Sequence, residues 1–252
     1  MGLAADWLTA RPIAHRGLHD AARGIVENTA SAVAAAVAAG YGIEVDLQLT
    51  RDGDAMVHHD DVLGRLTEGT GRLADLDAAA LRQVPFRATA DRMMTLGELC
   101  DLVGTRTTLV VELKSRFDRD ARLVARVAAV LAGYSGPVAA MSFDPYLVAG
   151  LRRTAPRLTR GIVAERRFDH SEWRQMTSWQ RRGMSHLLAH LLHAPMTRPD
   201  FVAYRVDDLP APATRLARLC GRPVLTWTVR TPAQRERATE WADQMIFEGF
   251  RP

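Results

Sequence analysis

The chain alternates short apolar runs with amphipathic or alanine-rich stretches from near its start to its end. Runs with strand character lie at 12–17, 42–50, 108–114, 137–142, 161–164, 201–204, 223–229 and 245–248. Helical stretches fall between them at 29–39, 95–103, 119–131, 145–153, 171–193, 213–219 and 231–242. Parallel neighbours need a crossover, usually a helix, so a repeated strand–helix–strand rhythm predicts a parallel sheet. Eight such units in 252 residues predict an α/β fold, a (β/α)8 TIM barrel. An open doubly wound sheet is the rival, but no glycine-rich phosphate turn follows the first strand. Residues 1–252 are read as a single TIM-barrel catalytic domain.

Residues 51–92 break the rhythm. They hold a hairpin-like piece, the turn-rich Thr67-Glu68-Gly69-Thr70-Gly71 and a short helix at 77–83. We read them as a small insertion after the second strand. In a barrel, loops at strand C-termini build the active face. The strand before the insertion carries Glu44 and Asp46 two residues apart, hence on one face and about 7 Å apart along it. Two carboxylates so close call for a cation between them or a proton on one. Glu112, on the following strand, completes an all-oxygen set suited to Ca²⁺ or Mg²⁺ rather than Zn²⁺.

His15 and His59 are the candidate acid–base pair, because imidazole titrates near neutrality. His58 is expected to point away from His59 if that segment is extended. His19 is either a pocket or a loop residue. His186, His190 and His193 share helical spacing but have no acid or cysteine motif nearby, which favours packing or exposure.

Of the 33 basic residues all but Lys114 are arginine. A lone ammonium marks a place where a guanidinium does not fit. Lys114 and Arg16 are therefore candidate contacts for an anionic substrate, and Trp227 can bound an apolar or polyol part of it.

The net charge is +4 and the pI about 9.6, but the arginines are scattered among acids and form no basic stripe, so nucleic acid is not an expected partner. The alanine- and valine-rich run at 30–39 is too short to span a bilayer, and the N-terminus lacks a secretory pattern, so no stable membrane anchoring is expected. Two cysteines, Cys100 and Cys220, do not make a disulfide framework; a reducing cytoplasm is the expected setting.

Taken in order, HRG at 15–17, ENT at 27–29, EVD at 44–46, QLTRDG at 48–53, HD at 59–60, RLTEGTGR at 65–72, VELK at 111–114, SFDP at 142–145 and WTV at 227–229 resemble the glycerophosphodiester phosphodiesterases of bacterial, cytoplasmic type. The resemblance runs from about residue 12 to 248. It implies a barrel with a small insertion, and hydrolysis of small glycerophosphodiesters to sn-glycerol 3-phosphate and an alcohol with Ca²⁺ or Mg²⁺. It also implies Glu44, Asp46 and Glu112 as metal ligands, His15 and His59 as the catalytic pair, and Arg16 and Lys114 on the phosphate. Glu27 and Asn28 would shape the first loop and the metal's surroundings. The sequence departs from the family with Met93-Met94 before Thr95 and with the ending IFEGFRP, which leaves Glu248 in the acidic position. A second enzymatic reading is a lysophospholipase D-like or cyclising phosphodiesterase. It requires an exposed apolar lip, for which Met93, Met94 and Trp173 are the candidates.

Overall fold

The structure, a computed structural model, describes residues 4–168 and 177–252. Its strands are β1 (Ile13–Ala14), β2 (Gly42–Leu49), β3 (Ala55–Val57), β4 (Leu109–Leu113), β5 (Val138–Ser142), β6 (Thr159–Ala164), β7 (Phe201–Arg205), β8 (Val224–Val229) and β9 (Gln244–Phe247). Eight of them pair in parallel in the order β1-β2-β4-β5-β6-β7-β8-β9, and β9 returns to β1. The sheet is thus a closed TIM barrel. β3 lies outside it, antiparallel to the last residues of β2, and opens the insertion.

Barrel strands are buried on both faces, which is why they read as short continuous apolar runs. Ile13, Val110, Ala139, Met141, Val163, Phe201, Ala203, Leu225 and Ile246 form one cluster with Leu8. Val45, Leu47, Val111 and Leu113 belong to a second cluster with the helix residues Val33, Leu99 and Val127. Alternation along a strand separates these two sets. Gly161 in β6 makes room for the interior: a Cβ there would lie 2.3 Å from the Phe201 ring.

The helices begin where capping chemistry dictates. Thr29 accepts from the Ala32 amide, and Gly40 (φ 74°) ends Ala30–Ala39. Thr95 and Glu98 form a capping box on Leu96–Val103. Asp144 caps Pro145–Thr154. One predicted start moves: the helix expected from 119 spans Arg122–Leu131. Phe117 and Arg119 have φ of 57° and 65°, and the Asp118 and Asp120 carboxylates take the amides of Asp120 and Arg122. Such local side-chain bonds compete with helix formation. The stretch expected to be helical at 171–193 contains Ser178–Ala189; its first residues, to 176, lie outside the described residues.

A six-residue helix, Ala4–Thr9, was not anticipated. Leu8 joins the interior cluster, and the Trp7 and Thr9 carbonyls accept from Thr108 and Gln244, near the N-terminal strand ends. This helix stops the barrel floor. Among the described residues no helix is long and apolar enough to cross a membrane.

Candidate active site

The site is built at the C-terminal ends of the first strands. Beyond β1, the His15 amide still bonds to the Phe247 carbonyl, and then the chain turns sharply. Arg16 (φ 56°) and Gly17 (φ 79°) both lie in the left-handed region. A Cβ on Gly17 would stand 2.8 Å from the Ala32 backbone carbon, so the glycine lets this turn press against the following helix. The turn presents the Arg16 amide to Glu44 Oε2 at 3.1 Å. Asn28, also left-handed (φ 58°) and fully buried, donates to Asp46 Oδ2 at 2.9 Å and accepts from the Asp46 amide. Asn28 thereby holds Asp46 in place.

Asp46 and Glu112 are register partners on β2 and β4. Glu44, Asp46 and Glu112 are all buried, and one oxygen from each lies within 4.8 Å of the others. Lys114 Nζ bridges two of them, 2.7 Å from Asp46 Oδ1 and 2.6 Å from Glu112 Oε1. Arg16 Nε lies 3.1 Å from Asp46 Oδ2, and its Nη1 donates to Glu27 Oε1 at 2.6 Å.

The electrostatics divide these groups. Burial, then the neighbouring Asp46 and Glu112 charges, push the Glu44 carboxyl well above the usual range. Burial works against the Asp46 charge too, but Lys114 and Arg16 outweigh it and hold that carboxyl far below its ordinary value. Lys114 is likewise opposed by burial and driven upward by Asp46 and Glu112. The donors fit a hard divalent cation on two counts. Glu44 Oε1 is buried without a hydrogen-bond partner. With Glu44 ionised, as a bound cation would make it, Glu27, Glu44, Asp46, Asp60, Glu112 and Glu248 also exceed Arg16, Arg65, Lys114 and Arg230 by two charges.

Each histidine is held by its own carboxylate. His15 Nδ1 donates to Glu248 Oε2 at 2.8 Å, which leaves Nε2 as the acceptor, 4.0 Å from Glu44 Oε2. Burial lowers the His15 pKa from its ordinary value. The His15 bond, together with Arg230, brings Glu248 down to about 2. His59 Nδ1 donates to Asp60 Oδ1 at 2.8 Å, and its carbonyl accepts from Gln48 at 2.7 Å. Asp60 and Glu27 are bridged by Arg65.

A cleft of about 1040 Å³ exposes His15, Arg16, Glu44, Asp46, His59, Glu112, Lys114 and Trp227 together. Glu27 and Asn28 stand behind this lining, touching Arg16 and Asp46. The Trp227 indole donates to the Ala203 carbonyl at 3.2 Å and packs edge-on to Phe143. The far wall, across the barrel, adds Glu165, Arg205, Asp207 and Arg230 from the ends of β6, β7 and β8.

Other sequence candidates fall elsewhere. His58 is buried beside Phe86, and burial lowers its pKa. His19 lines a neighbouring cavity, its Nε2 4.0 Å from Glu248 Oε1. His186 and His190 are exposed with ring centroids 4.3 Å apart, whereas His193 is buried. Met93 and Met94 do not form an apolar lip. They are 1% and 6% exposed and pack in the core instead. Trp173 lies outside the described residues. Sequence reasoning missed Asp60, Arg65 and Arg230 as partners in the site. The HD pair at 59–60 was the available signal for Asp60.

Residues 15–250 match the glycerophosphoryl diester phosphodiesterase family. A glycerophosphodiester phosphodiesterase of Caldanaerobacter subterraneus is 30% identical over 161 residues, 60% of this chain and 65% of the relative's length. The chain thus spans less than two thirds of that relative. A phosphodiesterase of Oleispira antarctica, solved in complex with the product sn-glycerol 3-phosphate, superposes with a TM-score of 0.76 at 20% identity, covering 96% of this chain and 94% of that one. A glycerophosphodiester phosphodiesterase of Thermotoga maritima gives a TM-score of 0.69 at 21% identity, over 93% and 92%. With the motifs seated around one cleft and nearly the whole length matched, the chain belongs to the glycerophosphoryl diester phosphodiesterase family.

Proposed function

We propose that this protein hydrolyses glycerophosphodiesters, such as glycerophosphocholine or glycerophosphoethanolamine, to sn-glycerol 3-phosphate and an alcohol. The supporting observation is that two carboxylate-held histidines, two cations and three clustered acids line one cleft. The product named for the Oleispira antarctica structure agrees with the glycerol 3-phosphate half of the reaction. Glu44, Asp46 and Glu112 would hold Ca²⁺ or Mg²⁺, which when bound polarises a phosphoryl oxygen.

Arg16 and Lys114 offset the charge that builds on the phosphoryl oxygens. His15 is the base: Nε2 takes the proton of the nucleophile, either a water, which gives sn-glycerol 3-phosphate directly, or the neighbouring glycerol hydroxyl, which gives a cyclic phosphodiester that a water then opens, while Glu248 stabilises the resulting imidazolium. His59 is the acid and donates its Nε2 proton to the departing alcohol oxygen, with Asp60 holding the ring. Trp227 bounds the organic part of the substrate.

The test is glycerol 3-phosphate release from a panel of glycerophosphodiesters with each metal, before and after EDTA. Activity should vanish with EDTA and return with Ca²⁺ or Mg²⁺. His15→Ala and His59→Ala should each lose about 10²–10⁴-fold in rate. Near-normal turnover by either variant would overturn the acid–base assignment.

A further inference from the structure

The two halves of the site are joined by one side chain that touches no substrate atom in the proposed mechanism. Arg65 lies in the insertion and presents both edges of its guanidinium to carboxylates. Its Nε and Nη2 meet Asp60 at 2.6 and 3.2 Å. Its Nη2 and Nη1 meet Glu27 at 2.7 and 3.5 Å. Each acid spends another contact on a functional group. Asp60 Oδ1 holds His59 Nδ1, and Glu27 Oε1 holds Arg16 Nη1. The loop bearing Arg65 is itself tied, with Leu63 bonded to Gly71, Leu73 to Asp61, and the Gly64 amide to Thr67 Oγ1.

We infer that Arg65 is a positioning residue that sets His59 and Arg16 as one unit, so that the proton donor and the phosphate-holding cation are aligned together. This rests on the roles proposed above for His59 and Arg16. A half-exposed ion pair contributes little to folding, so two forked contacts on one exposed arginine point to orientation rather than stability. Only a planar fork spans both acids; an ammonium is a point charge and can satisfy one well. Without Arg65, Asp60 is free to rotate away from His59, and Glu27 draws more strongly on Arg16.

The experiment compares Arg65→Ala, Arg65→Lys, His59→Ala and Arg65→Ala/His59→Ala on two substrates. One is glycerophosphocholine, whose leaving alkoxide needs a proton. The other is the p-nitrophenyl ester of glycerol 3-phosphate, whose leaving group does not. Arg65→Ala should lower kcat on glycerophosphocholine by about 10–100-fold, the usual cost of removing an orienting partner. It should follow the substrate pattern of His59→Ala, with the smaller loss on the nitrophenyl ester. Arg65→Lys should recover part of the loss, and the double variant should be slower than His59→Ala only by the smaller loss that Arg65→Ala shows on the nitrophenyl ester, the part that acts through Arg16. Unchanged thermal unfolding of Arg65→Ala separates orientation from folding. A near-wild-type Arg65→Ala, a loss that ignores the His59→Ala pattern, or full additivity in the double variant overturns the inference. An impaired His59→Ala beside an intact Arg65→Ala rejects Arg65 alone. An unimpaired His59→Ala rejects the underlying assignment of His59.

Discussion

At residue scale, two acids of similar chemistry do opposite work because of their neighbours. Asp46 stays charged between Lys114 and Arg16, whereas Glu44 has an oxygen with no partner. Glu248 shows how a distant residue sets a tautomer: it lies 233 positions from His15, too far for any local pattern to link them. Glu248→Gln keeps the size but loses the charge. It should reduce kcat on glycerophosphocholine by about 10–100-fold with little change in KM, read by steady-state kinetics. A second buried imidazole matters for stability. Burial brings His193 down to about 4, below its ordinary 6.5. The unfolded chain therefore takes up that proton first. This contribution is complete above pH 6.5 and is lost as pH falls towards 4. The slope there approaches about 1.4 kcal/mol per pH unit. Urea unfolding of the wild type and His193→Asn across this window should show a flatter profile in the variant.

At the scale of elements, the barrel was legible because its strands are apolar on both faces and several of its helices carry side-chain caps. Eight predicted runs overlap the eight barrel strands, and Thr29, Thr95 and Gly40 mark helix ends. The late helix start at Arg122 was hidden because aspartate–amide bonds and two left-handed residues carry no periodic signature. The N-terminal helix was hidden by its six-residue length, less than two turns of pattern. Within the site, strand-borne acids could be paired by the period of two, but the Arg65 and Arg230 contacts arise only when loops fold back. Packing inside the barrel allows a direct check. Gly161→Ala should destabilise by about 1–3 kcal/mol, because the added methyl meets the Phe201 ring. Adding Phe201→Leu should restore part of the loss, measured by thermal unfolding.

At the scale of the whole molecule, the cleft holds an excess of negative charge that folding has already concentrated. Such a site should be strengthened by the ion it accommodates. Ca²⁺ or Mg²⁺ at about 100 times its Kd should add roughly 2.7 kcal/mol, seen as a rise in Tm. Glu44→Gln/Glu112→Gln should abolish that rise; an equal rise in the variant would place the ion elsewhere. The matched family spans residues 15–250, nearly the whole chain.

The groups proposed for chemistry come from β1, β2 and β4, and His59 follows β3, whereas Glu165, Arg205, Asp207, Trp227 and Arg230 come from β6, β7 and β8. These two arcs are separate stretches of chain, joined through Arg230, which donates to the same Glu248 carboxylate that holds His15. Mutation at Arg205 or Asp207 can therefore revise the second arc without rewriting the first, whereas mutation at Arg230 reaches His15 through Glu248. Under the proposed mechanism, the second arc is where a change of alcohol is to be accommodated while the first keeps breaking the same bond.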